Sequence, residues 1–591
     1  MKSQKSQKKK IPKKISYTLL LNWLDNNLLL LLSCFLLVFI PLYPKIPLAE
    51  LIPGYIVRMR LEDVFVLLTA FVWAIQVLRK KVKYFSTVHL FIGLYLFFSA
   101  LSILSAVLLL KSIPFETLHI GKSVLHWIRY LEYFMLFAIT FSATKSVDEV
   151  KKMFGVMVFT LIGVTIYGYG QKFHYWPVFS TMNREFSKGI RLYLTEHARV
   201  QSTFGGHYDF AAYLVILNTL VLSLALTVKQ RVIKIFLHLT HLFGLWMLIL
   251  TASRVSFIAY YIAIITTIFV LAATRKKRVD KIKYVLGKSL IYTFIIGAMM
   301  FSFGQDMRDR LFHVFKDYPQ VEQTYLIVQD FTDFSLINII AFFSSSSAQP
   351  NEDWVAVELT DQQIDPVLNK TDQRPTTSKP KPDDVYVDVP DKVKVATKSA
   401  TGETKYITIE RERTWSDNAI KYGLSAAIRL DTLWPNAVRG FISNPLLGSG
   451  FATLNKETPT HFTEAESTDN NFLRTLGETG LLGFISFYGI LATGIYFSIQ
   501  LLKTALSDKA INDRNFLIGF NAGYIGVAIG LLLNAVYIDV YASSKVAFTF
   551  WALTGLIIAL YYQLDLDSGL SSLKKIKQLL PKKRRRHHKK R

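Results

Sequence analysis

The chain has 591 residues, 51% of them hydrophobic and 14% aromatic, with a formal net charge of +26 and a single cysteine, Cys34. One cysteine, placed inside an apolar run, excludes a disulfide scaffold. Apolar runs of about twenty residues, the length that crosses a hydrocarbon core of roughly 30 Å, exclude a disordered or fibrous chain and read as a polytopic membrane protein.

The charge is concentrated at the termini: residues 1–14 hold seven lysines and residues 574–591 hold eleven Lys or Arg. The tails, 1–24 and 563–591, are expected to be cytoplasmic and to sit on anionic lipids, at about 1 kcal/mol per basic residue near the surface. No recognition fold accompanies them, so no nucleic acid is expected as a partner. The first apolar run is long, starts late and lacks a small-residue cleavage site, which reads as a retained anchor rather than a signal peptide.

In chain order, twelve transmembrane helices are predicted, at about 25–43, 61–78, 88–110, 124–143, 153–172, 208–227, 232–251, 255–273, 284–303, 481–502, 515–537 and 543–562. Spans one to nine form a membrane domain over 25–303, and spans ten to twelve complete it over 481–562. The fold class is all-α. Even-numbered connections carry the basic residues: Arg79 to Lys83, Lys145 to Lys152, Lys229 and Arg231, Arg275 to Arg278, and Lys503 to Arg514. That bias places both termini in the cytoplasm of a multi-pass cytoplasmic-membrane protein. Arg58 and Arg60, in the first outer connection, run against it.

The topology puts a large external loop at 304–480, between spans nine and ten. Within it, 344–383 is rich in Ser, Pro, Thr, Asn and Asp and reads as a linker. Residues 385–412 alternate apolar and polar in VYVDV, KVKVA and YITIE, a small β-hairpin insert with an accessory role. Helical periodicity returns over 416–480, the part that carries the motifs, and Asn444-Pro445 ends its first helix.

Arginines on the outer side are the candidate ligand-binding residues. Arg254 stands between two apolar runs in LTASRVSF, where a charge costs roughly 2.5–3.5 kcal/mol and marks a functional position by default. Arg429 lies in AAIRLDTLW, and Arg191 and Arg199 in GIRLYLTEHARVQSTF. Guanidinium offers phosphate a permanent charge and a planar fork of donors. No Gly-rich nucleotide loop is present, so the phosphate expected is that of a lipid-linked group. Asp469 and Asn470 precede the tenth span, positioned to cap it and to leave a carboxylate at its mouth. Glu478, His461, Glu464 and Glu466 are the other candidate proton acceptors. No metal-ligand spacing and no GxSxG elbow occur, and neither a metal nor a cofactor is expected.

The order of these features resembles the bacterial O-antigen ligase and O-antigen polymerase superfamily. Ser253-Arg254 is similar to the pair that opens a mid-chain span there. Arg429, Trp434 and PLLGSG at 445–450 resemble an R…W…PLLGxG stretch, and DNNFLRTLGETGLLG at 469–483 resembles the family's HN-x-x-L…E-x-G-x-x-G. Where ligases carry His, this chain has Asp469. The resemblance implies a metal-independent glycosyltransferase of surface polysaccharide biosynthesis. Its donor would be a polyprenyl-diphosphate-linked saccharide and its acceptor a glycan or glycolipid. Arg191, Arg199, Arg254, Arg429 and Asn470 would bind substrate. Asp469, Arg254 and Arg429 would be catalytic, with His461 and Glu478 as weaker candidates. The competing expectation is a transporter or flippase of lipid-linked saccharides; Arg129 and Glu132 in the fourth span, three apart, read equally as an ion pair.

Overall fold

The computed structural model describes residues 17–52, 58–182, 186–195, 197–308, 391–398, 404–411, 416–422, 424–454, 467–508 and 513–579. Of these, 391–398, 404–411, 421–422, 424–425 and 564–579 are described by their backbone alone. The linker at 344–383, His461, Glu464, Glu466 and residues 1–16 and 580–591 of the basic tails lie outside the described residues.

Among the described residues, nine α-helices precede the large loop: α1 (Tyr17–Leu42), α2 (Leu61–Leu78), α3 (Thr87–Leu108), α4 (Thr117–Ala143), α5 (Val147–Phe173), α6 (His207–Thr227), α7 (Arg231–Leu250), α8 (Arg254–Ala272) and α9 (Arg278–Phe303). The loop contributes α10 (Asp417–Tyr422), α11 (Leu424–Ile428), a π-helical turn at Arg429–Leu433 and α12 (Trp434–Ser443). Three long helices follow: α13 (Asn471–Ser507), α14 (Arg514–Asn534) and α15 (Ser544–Leu579). Eleven helices among the described residues are long and apolar enough to cross a membrane, which makes this a multi-pass membrane protein. The fourth predicted span, α4, is 27 residues long but carries Lys122, Arg129 and Glu132, and it is not among the eleven.

Strands are few. The predicted hairpin insert contains β3 (Asp391–Lys398) antiparallel to β4 (Thr404–Arg411), in register from Asp391 opposite Arg411 to Lys398 opposite Thr404. A short ribbon of β1 (Pro47–Ala49) and β2 (Met59–Arg60) lies between α1 and α2, where no strand was expected.

The core is built on α6, α14 and α15, which are apolar all round and buried on most sides. Small residues let the backbones close up, as is general where lipid removes the hydrophobic drive between helices. A Cβ on Gly519 would stand 2.2 Å from the Thr227 hydroxyl, and one on Gly526 would stand 2.1 Å from that of Thr267. Ser223 donates to the Gly519 carbonyl at 2.6 Å, tying α6 to α14.

The basic connections meet at one end. There Asp25 pairs with Arg79 at 2.7 Å and with Lys81, Lys145 donates to the Asn26 carbonyl at 3.0 Å, and Lys151 reaches Asp513 at 2.6 Å. Connections from all along the chain meet at the other end. Buried Lys545 donates to the carbonyls of Pro41, Tyr43 and Thr203 at 2.9, 2.6 and 2.7 Å, so its charge caps the C-terminus of α1.

At that second end α13 is broken. Gly480 has φ 65° and ψ −167°, a conformation essentially confined to glycine. A break strands backbone groups that lipid cannot satisfy. The turn at 444–450 takes four of them: Ser449 and Gly450 N–H donate to the Gly477 and Glu478 carbonyls at 2.9 and 3.0 Å, while Leu481 and Leu482 N–H donate to Pro445 and Leu446 at 2.9 and 3.2 Å. The two glycine-rich motifs are therefore two halves of one junction. A Cβ on Gly480 would lie 2.4 Å from the Leu446 carbonyl. Gly480→Ala should accordingly cost about 1–3 kcal/mol in backbone strain before the clash is counted. It should lower the temperature at which the detergent-solubilised protein survives size exclusion. Gly287→Ala, whose Cβ meets nothing within 4 Å, should not.

Candidate functional site

The broken helix carries a buried charge network. Arg474, one turn before Glu478, donates through Nε to the Glu478 carboxylate at 3.3 Å and through Nη1 to Asp539 at 3.0 Å. Glu478 also accepts the Ala452 N–H at 3.2 Å, which links it to the 444–450 junction. Asp539, in the turn between α14 and α15, accepts from the Thr468 and Asn470 N–H groups at 3.0 Å each and from Ser467 Oγ at 2.8 Å. One carboxylate thus organises the whole approach to α13. All three charged side chains are at least nine-tenths buried, where pairing is obligatory.

Arg429 is buried on the π-helical turn. Its Nη2 lies 2.9 Å from Asp469 Oδ2, its Nη1 donates to Tyr537 Oη at 3.4 Å, and its guanidinium lies 4.1 Å from the Tyr537 ring centre. Asp469 adopts φ 52° and donates its N–H to Ser467 Oγ at 3.1 Å, with that oxygen 2.7 Å from its carboxylate. The Asx and Ser side chains supply local acceptors that make such left-handed positions tolerable. Arg429, Asp469, Ser467, Asp539, Arg474 and Glu478 therefore form one continuous polar chain.

The chain ends at a cavity of about 240 Å³. Its wall includes four basic side chains, Lys45, Arg60, Arg129 and Arg474, against one carboxylate, Asp209; Ser467 joins it to the network just described. Three of those cations are well paired. Arg129 lies 2.5 Å from Asp63 and 2.9 Å from Glu132 and donates to the Arg58 carbonyl at 2.8 Å. Lys45 lies 2.7 Å from Glu62 Oε1 and bonds Ser544 Oγ. Arg474 has the two partners given above. Arg60 is different. Its nearest carboxylate oxygen is that same Glu62 Oε1, at 3.9 Å, and its buried Nε has no hydrogen-bond partner among the described residues. Burial holds Lys45 down to about 8, against the opposing pull of Glu62, and lowers Arg60 as well. The cavity therefore presents one poorly paired guanidinium, a lysine that loses its charge readily and a surplus of positive charge, a wall suited to an anion with several acceptor oxygens.

The residues singled out in the sequence fall into three groups. Arg429, Asp469, Asn470 and Glu478 are brought together: Asn470 caps α13 by accepting the Leu473 N–H at 3.0 Å. Arg254 opens α8 close by, since Ser256 of that helix donates to Asn534 at 3.2 Å and Tyr537 N–H bonds the Asn534 carbonyl at 3.1 Å. Arg199 is buried against His207, at 2.6 Å, and Arg191 is exposed; neither is in the wall of this cavity. Arg129 and Glu132 are an ion pair, and Arg129 faces the cavity as well. Lys45, Arg60, Asp209, Arg474 and Asp539 were missed. A signal existed for Arg60, because it broke the charge bias of the connections; Lys45 and Asp539 sit in short turns with no motif around them.

Among the described residues, no group of three or more His, Cys, Asp or Glu is placed to hold a metal ion. The chain matches no known protein-family model and no curated protein.

Proposed function

We propose that this protein is a membrane glycosyltransferase of surface polysaccharide biosynthesis. In this reading it transfers or polymerises a polyprenyl-diphosphate-linked saccharide at the outer face of the cytoplasmic membrane, in the manner of the O-antigen ligase and polymerase superfamily. The observation that carries the reading is Arg60, a mostly buried guanidinium without a close counter-ion, in a cavity whose wall holds four cations and one carboxylate. A buried cation left so poorly paired is costly unless a ligand completes it. The diphosphate would occupy the cavity. An acceptor hydroxyl would attack the anomeric carbon as the bond to the diphosphate oxygen breaks. Arg60 and its neighbours would stabilise the charge that builds on the departing group. Asp469, partly exposed beside Ser467 at the mouth, would take the hydroxyl proton. Basic connections at the opposite end support an outward-facing cavity.

The test is saccharide transfer from a purified polyprenyl-diphosphate glycan by the protein in nanodiscs. Arg429→Lys should cut transfer about tenfold or more, because lysine keeps the charge but loses the fork that spans Asp469 and Tyr537. Asp469→Asn should slow turnover more than it weakens donor binding. If only Asp209→Asn does so, the base is the carboxylate in the cavity wall. A transporter would draw on the break in α13, since discontinuous helices line many transport sites. Here four of the freed backbone groups are already taken by the 444–450 turn. Flipping of the donor across vesicles without transfer would support the transporter instead.

A further inference from the structure

A groove of about 900 Å³ lies at the opposite, basic end, between α5, α6, α7 and the start of α14. Its floor is apolar: Phe154 and Val158 of α5 face Phe236 and Leu237 of α7. Gly155 opens the middle, for a Cβ there would meet nothing within 4 Å. Phe159 and Ile233, on its walls, are 66% and 42% exposed. The rim is basic, with Lys151, Lys229 and Arg514 against Asp513. Lys151 is held by Asp513 and Asp148 at 2.6 and 3.0 Å, and Arg514 donates to the Ala505 carbonyl at 2.7 Å. Lys229 is exposed and has no ion pair among the described residues.

We propose that this groove holds an anionic glycerophospholipid of the surrounding bilayer, its acyl chains on the apolar floor and its phosphate against Lys229 at the rim. Two features select that occupant. Along α5 the lining runs from Lys151 to Ile162, about 16 Å of helix. That is one leaflet, half of a hydrocarbon core of roughly 30 Å; the helix of a second copy would need the full thickness. The net positive rim sits level with the basic connections after α2 and α4, where lipid headgroups meet the protein. The site is independent of the diphosphate cavity, which is at the other end.

The full chain, purified in detergent, is titrated with phosphatidylglycerol or phosphatidylcholine, and bound lipid is counted by native mass spectrometry. Wild type should retain phosphatidylglycerol with about tenfold preference. Lys229→Glu should erase that preference by a roughly tenfold or greater loss confined to the anionic lipid. Gly155→Leu should plug the groove and lower retention of both lipids; the change removes a glycine from a helix interior, which favours folding. Size exclusion verifies that both variants remain monodisperse. Equal retention of the two lipids by wild type, unchanged phosphatidylglycerol binding in Gly155→Leu, or a lipid-free dimer closed over the groove would each overturn the assignment.

Discussion

Arg60→Gln should reduce saccharide transfer by between tenfold and more than a hundredfold while the protein inserts and melts as wild type does. The first half follows from the worth of a hydrogen bond to a charged group, about 1.5–3 kcal/mol. The second follows from what Arg60 holds in the free protein: one 3.9 Å contact with a carboxylate that Lys45 already occupies at 2.7 Å. Removing it relieves a buried charge instead of orphaning one. Equal loss of stability and activity would mean that Arg60 is a structural cation, and the diphosphate reading would lose its main support. The same cavity predicts a pH effect. Lys45 titrates at about 8 because burial disfavours its charged form. As pH rises through about 8 the lysine becomes neutral and the wall loses positive charge, so donor affinity should fall. Lys45→Met should remove that step. The linked stability term has the opposite sign: the unfolded chain holds this proton up to about 10.5, so Lys45 contributes increasing stability from about 8 upward.

Asp539→Ala should be the most destabilising single change at this end of the molecule, by about 3–5 kcal/mol. It leaves Arg474 buried with Glu478 as its only acidic partner among the described residues and removes the acceptor for the Thr468 and Asn470 N–H groups and Ser467 Oγ. The loop that carries Asp469 would then lose its anchor to the turn between α14 and α15, so activity should fall with stability. Thermal survival in detergent reads the first effect and transfer the second. Asp148→Ala provides the contrast. Its ion pair with Lys151 is exposed, and such pairs contribute at most about 1 kcal/mol, so no measurable shift is expected. Similar shifts in the two variants would show that the Asp539 network is incidental.

Helix positions were legible because the signal is local. Each predicted span lies within a helix or overruns its end by at most three residues, since a run of apolar residues has one way to satisfy its backbone in lipid. α4 shows the limit: its charges keep it from the eleven clear spans, and one of them, Arg129, lines the cavity. The tenth span, expected from 481, starts where the second segment of α13 follows the break at Gly480; the helical segment before the break, from Asn471, is held to the 444–450 turn, where Gly480 packs on Leu446. The glycines of the two motifs were visible; that each motif satisfies the other's backbone was not.

By itself the amino-acid sequence determined a polytopic helical membrane protein, a hairpin insert, a sided charge distribution and the pairing partners Arg429 and Asp469 as residues worth examining. The tertiary structure alone decided which cations share a cavity. Lys45 and Arg60 come from the connection between α1 and α2, Arg129 from α4, Asp209 from α6 and Arg474 from α13. Their meeting depends on how those helices pack, through glycine contacts and interhelical hydrogen bonds such as Ser223 with Gly519. Apolar run length is set by the residues within one segment, whereas the approach of two helices depends on side chains in both, which no single window of sequence contains.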